Sequence, residues 1–374
     1  MAGLYVHIPF CRDACTYCDF HFSISLGQLR PMLRAIEKEI RVRRNYLEGE
    51  ALHTVYFGGG TPSLVEPGLI AGILTVIREN YELDAEAEIS LEANPDDLKE
   101  DALSALRRTG INRLSIGIQS FDDRFLNLMN RRHDSAQAKA CLQLARKAGF
   151  DNLNLDLIYG LPGMNLEKWR DTINTALAFR PEHLAAYHLS YEPGTVLDYR
   201  TRKGRVTPVD EEMSLAQFRA LLEITENQGY QHYEISNFAL PGRISRHNSA
   251  YWKGEKYLGV GPSAHSYNRK SRYWNHAKNS SYIREVMAGR SVGEEELLDE
   301  KTRLNEYLMT AMRTMWGADM TYLKLEWGEE RFRKILELAE PFIRGGQMVR
   351  NENRLVLSRE GMFIADYIIG GLFL

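Results

Sequence analysis

Six short runs rich in β-branched and aliphatic residues, at 4–8, 54–57, 88–92, 113–118, 152–158 and 183–189, recur through the first 200 residues with helical patterns between them. This alternation constrains the fold more than any other feature. Parallel strands need a crossover, and crossovers within one sheet are right-handed, so the chain must repeat βαβ units around a parallel sheet. The intervening segments have the matching period. Leu29, Leu33, Ile36 and Ile40 fall on one helical stripe, and 134–147 form another pattern that Gly149 stops. Six units predict an α/β fold, a partial (β/α)6 TIM-like barrel. A hydrophobic content of 44% beside 26% charged residues is ordinary for a folded, soluble chain of 374 residues.

Parallel barrels carry their chemistry at the C-terminal ends of the strands, and each predicted strand here ends in residues that a core does not need. Cys11, Cys15 and Cys18 follow the first, and Gly58-Gly59-Gly60-Thr61-Pro62 follows the second. Glu92-Ala93-Asn94-Pro95 closes the third, Gln119-Ser120-Phe121 the fourth, Asp156 to Gly163 the fifth and Ser190 to Thr195 the sixth. Six motifs thus converge on one mouth. Cys141, alone in a helical pattern, reads as a small core residue.

The three clustered thiols, spaced four and three positions apart, can converge on a metal or an iron–sulfur cluster. Structural zinc and plain electron-transfer clusters take four protein ligands, whereas reactive sites leave one position open. Two readings follow: a Cys3His zinc site completed by His7 or His21, or a cubane with one open iron. A disulfide is disfavoured, because the polar start Met-Ala-Gly-Leu-Tyr-Val-His is no signal peptide and a reducing, cytoplasmic setting is expected. The CxxxCxxC spacing resembles the signature of the radical S-adenosylmethionine (SAM) superfamily. That resemblance implies a [4Fe-4S] cluster held by Cys11, Cys15 and Cys18.

SAM presents an ammonium, a carboxylate, a sulfonium, a ribose and an adenine. Gly58, Gly59 and Gly60 permit close backbone approach to such a ligand, and Thr61 adds a hydroxyl. Glu92 and Asp156 can accept from ribose hydroxyls or the ammonium, Gln119 and Arg131 can hold carboxylate or ribose, and Tyr17 can stack on adenine. Plainer alternatives stand beside these: a flexible glycine turn, a solvated helix-end Arg131, and Asp156 as the buried partner of such a cation.

The resemblance then narrows. Residues 5–11 (YVHIPFC) with CxxxCxYCDF, GGGTPS, EANP, SIGIQSF, NRRH and DLIYGLPG resemble, over essentially the whole chain, the oxygen-independent coproporphyrinogen III oxidase family. Position by position, Tyr5, Tyr17, Gly59, Gly60, Thr61, Glu92, Gln119, Arg131 and Asp156 match its SAM-contacting positions. Two departures favour the HemW-type haem-chaperone branch of that family. The true oxidases carry a fourth cysteine where Phe20 stands, and an N-terminal extension ahead of the position of Tyr5. His247-Asn248-Ser249-Ala250-Tyr251-Trp252 fits the HNxxYW motif of the chaperone branch, which implies haem as a bound group, His247 as its ligand and client haemoproteins as partners. The oxidase activity, decarboxylation of coproporphyrinogen III through a 5′-deoxyadenosyl radical, is the alternative.

Beyond residue 291 the chain reads as a small winged-helix-like α+β domain. Leu304, Leu308, Ala311 and Met315 form one stripe, 331–339 a second helix, and 349–356 a hairpin. The expected division is a barrel at 1–235, a connecting region with the HNxxYW motif at 236–291, and this domain at 292–374. A formal net charge of −3 argues against nucleic acid as a partner. No apolar run is long enough for a transmembrane segment. A homodimer is left open.

Overall fold

The computed structural model describes residues 2–374. Strands β1 (Ala2–Ile8), β2 (Leu52–Gly59), β3 (Leu83–Ala93), β4 (Arg113–Gln119), β5 (Leu153–Tyr159) and β6 (His183–His188) stand side by side in sequence order, each parallel to the last. All six expected strands are present. β3 begins earlier than expected because Leu83 to Ala87, with Ala85 and Glu86 exposed, extend it. The helix Leu29–Val42 buries Met32, Leu33, Ile36 and Ile40, the stripe expected of it. The helix Ser135–Lys147 starts at a reciprocal capping box between Asp134 and Gln137, and Gly149 follows it at φ 86°.

The sheet continues past both edges of the expected barrel. β7 (Gln231–Glu234) and β8 (Asn237–Ala239) form an antiparallel hairpin on β6. On the other side β9 (Lys256–Val260) runs parallel to β1, so a seventh parallel strand joins the six. β10 (His265–Tyr267), β11 (Ser271–Asn275) and β12 (Gly293–Leu297) complete a sheet of twelve strands. β12, beyond residue 291, is still hydrogen-bonded to this sheet. Gly259 and Gly261 allow the β9 turn: a Cβ on either would lie 2.0 Å from the His265 carbonyl oxygen or 2.4 Å from that of His7.

A second hydrophobic cluster gathers Leu304, Leu308, Met312, Leu323, Ile335, Leu355 and Ile368. Its helix Glu300–Met312 ends before Met315, which is 38% exposed, so Met312 rather than Met315 completes the buried stripe. The helical segment at 331–339 belongs to Met320–Arg344, interrupted at Gly328 with φ 84°. β13 (Ala318–Asp319), β14 (Met348–Asn351) and β15 (Arg354–Leu357) form its small antiparallel sheet. No helix among the described residues is long and apolar enough to cross a membrane.

Candidate cofactor site at the barrel mouth

The chain leaves β1 into a loop tied at several points. Cys11 N–H donates to Ser23 O at 3.0 Å, Ser23 N–H to Pro9 O at 2.8 Å and Thr16 N–H to Met129 O at 3.1 Å. The loop after β2 is pinned against it, with Gly60 N–H on Ile8 O at 2.9 Å and Thr61 N–H on Phe10 O at 2.7 Å. This contact, rather than a ligand, is what requires glycine. A Cβ on Gly60 would sit 2.5 Å from the Phe10 carbonyl oxygen, and one on Gly59 (φ 69°) would sit 2.2 Å from the His7 ring. Protein contacts thus demand glycine at both positions whatever the cavity holds, and both residues line it.

That cavity, about 430 Å³, is bounded by Cys11, Cys15 and Cys18 and by the C-terminal ends of β2 to β6. Thr61 donates its hydroxyl to Cys11 Sγ at 3.4 Å, and Arg131 Nη1 donates to Cys15 Sγ at 3.4 Å. Burial raises the Cys11 pKa and pushes Cys18 up to about 11, so these sulfurs hold their protons until a cation replaces them. The zinc alternative lacks its fourth ligand. His7 Nε2 donates to His21 O at 3.1 Å, Tyr5 donates its hydroxyl to His7 Nδ1 at 3.0 Å, and His21 Nε2 donates to Asn279 Oδ1 at 2.8 Å. Among the described residues no three His, Cys, Asp or Glu side chains meet at a single-ion point. Three thiols around a cavity of this size fit a larger group with one corner free, as a three-thiolate cubane has.

Opposite the thiols stand two half-buried carboxyls. Tyr56 donates to Glu92 Oε1 at 2.8 Å, while Asn154 Nδ2 donates to Asp156 Oδ1 at 2.7 Å and Ser115 Oγ to Oδ2 at 3.2 Å. Burial first, then the charge of Asp156, pushes Glu92 up to about 8, and burial pushes Asp156 up to about 6. The guanidinium in the lining is committed elsewhere: Arg131 Nη2 donates to Asn94 Oδ1 at 2.6 Å and to Gly117 O at 2.8 Å. A wall of two acids without a paired base suits a cationic ligand, and SAM carries a sulfonium and an ammonium.

Tyr17, Thr61, Gln119 and Arg131 also line the cavity, so the structure brings together all the expected SAM positions but one. Tyr5 does not reach it; its ring lies under Gly58 and its hydroxyl supports His7. Gln119 adopts φ 63° at an irregularity where Gly117 pairs with Asp156 but Gln119 with Leu157, which turns its side chain into the mouth. Sequence reasoning missed Tyr56 and Asn154 and carried Asn94, Ser115 and Gly117 only inside the EANP and SIGIQSF motifs, with no role of their own; all five line the site. The two-residue spacing of Ser115 with Gly117, and of Asn154 with Asp156, was the available signal, since alternate strand residues share a face.

His247 lies apart from the cavity lining. It is buried in the helix Arg246–Trp252, with Nδ1 2.7 Å from Thr54 Oγ1 and Nε2 2.8 Å from the Tyr251 hydroxyl. Burial lowers its pKa to about 3, so the ring is neutral, the form that ligates metals. Both nitrogens are nevertheless hydrogen-bonded. The expected ligand is therefore not presented as such in this conformation, because Tyr251 covers Nε2. Asn248, Tyr251 and Trp252 of the same helix line a second cavity of about 550 Å³, which shares Asn248 and Tyr187 with the first. Phe20, at the position of the missing fourth cysteine, is 69% exposed at the rim.

Residues 5–176 match the Radical SAM superfamily. A Lactococcus lactis protein named heme chaperone HemW is 35% identical, the match covering 84% of this chain and 82% of that one. The Bacillus subtilis protein of the same name is 30% identical over 99% of this chain and 98% of its own. Among solved structures, the Escherichia coli coproporphyrinogen III oxidase HemN, described as a radical SAM enzyme, superposes with a TM-score of 0.86 at 25% identity, covering 100% of this chain and 90% of that one. With its thiol-lined mouth on a mostly parallel barrel sheet and these whole-length matches, the chain belongs to the HemW family of the radical SAM superfamily.

Proposed function

We propose that the chain is a haem chaperone that binds a [4Fe-4S] cluster, SAM and haem, and passes haem to client haemoproteins. The observation that carries this reading is the pair of adjoining cavities. One is walled by thiols and acids, the other by aromatic residues of the HNxxYW helix, with Tyr187 and Asn248 between them. Relatives named heme chaperones, matched over most of their length, support it.

Cys11, Cys15 and Cys18 would hold the cluster, which when bound supplies an open iron and an electron source beside the sulfonium. Thr61 and Arg131 donate hydrogen bonds to the sulfurs of Cys11 and Cys15 and so orient two of the three ligands. Glu92 and Asp156 accept from the cationic and hydroxyl groups of SAM. The neutral imidazole of His247 would be the nitrogen ligand to a haem iron, available only without the Tyr251 hydroxyl on Nε2. The reducing cytoplasm is the proposed setting, since it keeps the three thiols available.

The fold it shares with a coproporphyrinogen III oxidase supports a second reading, oxidative decarboxylation at the same mouth. Cluster-loaded protein given SAM, a reductant and coproporphyrinogen III distinguishes the two. The chaperone reading expects unchanged substrate, stable haem binding and transfer of that haem to an apo-haemoprotein. Many turnovers of decarboxylation without haem transfer would overturn it.

A further inference from the structure

The second cavity, of about 550 Å³, falls in the size range of small-molecule cofactor sites. Its walls come from five places: the end of β6, the turn between β7 and β8, the HNxxYW helix, Arg313 just past the helix Glu300–Met312, and the two short helices Arg359–Phe363 and Ala365–Gly371. Tyr187, Trp252, Phe363 and Tyr367 bring flat aromatic groups, and Met362 adds a polarisable thioether. Phe363 and Tyr367 are 36% and 73% exposed, although each touches an aromatic neighbour, Phe218 or Phe342, on one side. Arg313 is the one basic residue in the lining, and its guanidinium is held by Asp366, an outer carboxylate 83% exposed. Glu234, the other acid there, is committed to the Asn237 amide and, at 3.2 Å, to the Ser236 N–H.

We infer that this cleft is the haem site: the macrocycle lies against Tyr187, Trp252, Phe363 and Tyr367, and one propionate takes the Arg313 guanidinium from Asp366. The inference rests on the haem reading above and adds where the haem sits. Three observations select a flat tetrapyrrole as occupant. Aromatic faces stand beside polar groups (Glu234, Ser236, Asn237 and Asn248), the one cation of the lining is a guanidinium, a group that pairs with carboxylates, and the cleft shares Tyr187 and Asn248 with the cofactor cavity. Tyr251 stands in its lining with its hydroxyl on His247 Nε2, so this one side chain connects the cleft to the buried histidine.

Full-length, cluster-loaded protein should be titrated anaerobically with haem and with metal-free protoporphyrin IX, read by Soret absorbance and tryptophan quenching. Wild type should bind both, because packing and charge recognise the macrocycle. Arg313→Glu should weaken both by about tenfold or more, the size of one lost charge-assisted contact. Asp366→Asn should tighten both, an effect that misfolding cannot produce. SAM affinity should be unchanged in either variant. Wild-type affinities in both variants, or haem binding with none for the metal-free porphyrin, would overturn the cleft while leaving the haem reading intact. Failure of wild type to bind haem at all would overturn both.

Discussion

The ring of Tyr56 stacks on the imidazole of His247, centroids 5.0 Å apart and planes 21° apart. The Tyr56 hydroxyl meanwhile donates to Glu92 at 2.8 Å, so one side chain touches the acid wall of the cofactor cavity and the histidine of the HNxxYW helix. Tyr56→Phe keeps the ring and removes only the hydroxyl. Stability should fall by roughly 1 kcal/mol and SAM affinity severalfold, with haem affinity held by the retained stacking. Calorimetric titration of each ligand checks this, and a variant with wild-type SAM affinity would separate Tyr56 from the site.

Glu92 imposes a pH dependence whose sign is fixed. Its pKa is raised from 4.5 to about 8, burial being the larger cause. Between those values the folded chain keeps a proton that the unfolded chain has released. This contribution to stability is therefore full below the unfolded value and is lost as pH rises through about 8. Glu92→Gln should flatten that part of the profile and melt higher than wild type at alkaline pH. Wild-type SAM binding should strengthen over the same range as the carboxylate ionises. Melting curves from pH 5 to pH 9, with SAM titrations alongside, test both statements; an unaltered slope in Glu92→Gln would assign the effect to another group.

Replacement of Cys11, Cys15 or Cys18 by Ala should abolish uptake of the roughly four irons that one cubane requires. Cys141→Ala should retain them. Cys141 is buried in the core and donates its thiol to Ala138 O at 3.1 Å, so its loss should lower only stability, by about 1 kcal/mol. Iron and acid-labile sulfide assays after anaerobic reconstitution, with a melting curve for each variant, distinguish the outcomes.

The two glycines at the mouth should fail differently. Gly60→Val drives a side chain into the Phe10 backbone, so iron loading and SAM binding should fall together. A Cβ on Gly117 meets side-chain atoms rather than backbone, the Gln119 Nε2 at 2.9 Å, the Arg131 Nη2 at 3.2 Å and the Asn94 Oδ1 at 3.7 Å. Gly117→Ala should therefore keep its iron and lose SAM affinity. Iron content measured beside calorimetric SAM titration decides between these patterns.

Tyr251 covers His247 Nε2. Tyr251→Phe removes that hydrogen bond and should tighten haem binding, whereas His247→Ala should shift the Soret band through loss of the axial nitrogen. An identical haem spectrum in His247→Ala would place the iron ligand elsewhere.

Local sequence determined the strand and helix succession and the thiol cluster. Period-two and period-3.6 patterns are short-range, and a CxxxCxxC loop needs no distant residue to be read. The strand-end rule also carried Glu92, Gln119 and Asp156 to the mouth, because a parallel sheet aligns its C-terminal edges. Only the tertiary structure decided the remainder. β9 reads as an ordinary short apolar run until it pairs with β1 across the chain. The need for glycine at Gly60 arises from the Phe10 backbone, fifty residues earlier. His247, adjacent in sequence to the cleft residues Asn248, Tyr251 and Trp252, is turned inward onto Thr54 and Tyr56, because successive side chains of a short helix point in different directions and the contacts that select among them come from strands near the other end of the chain.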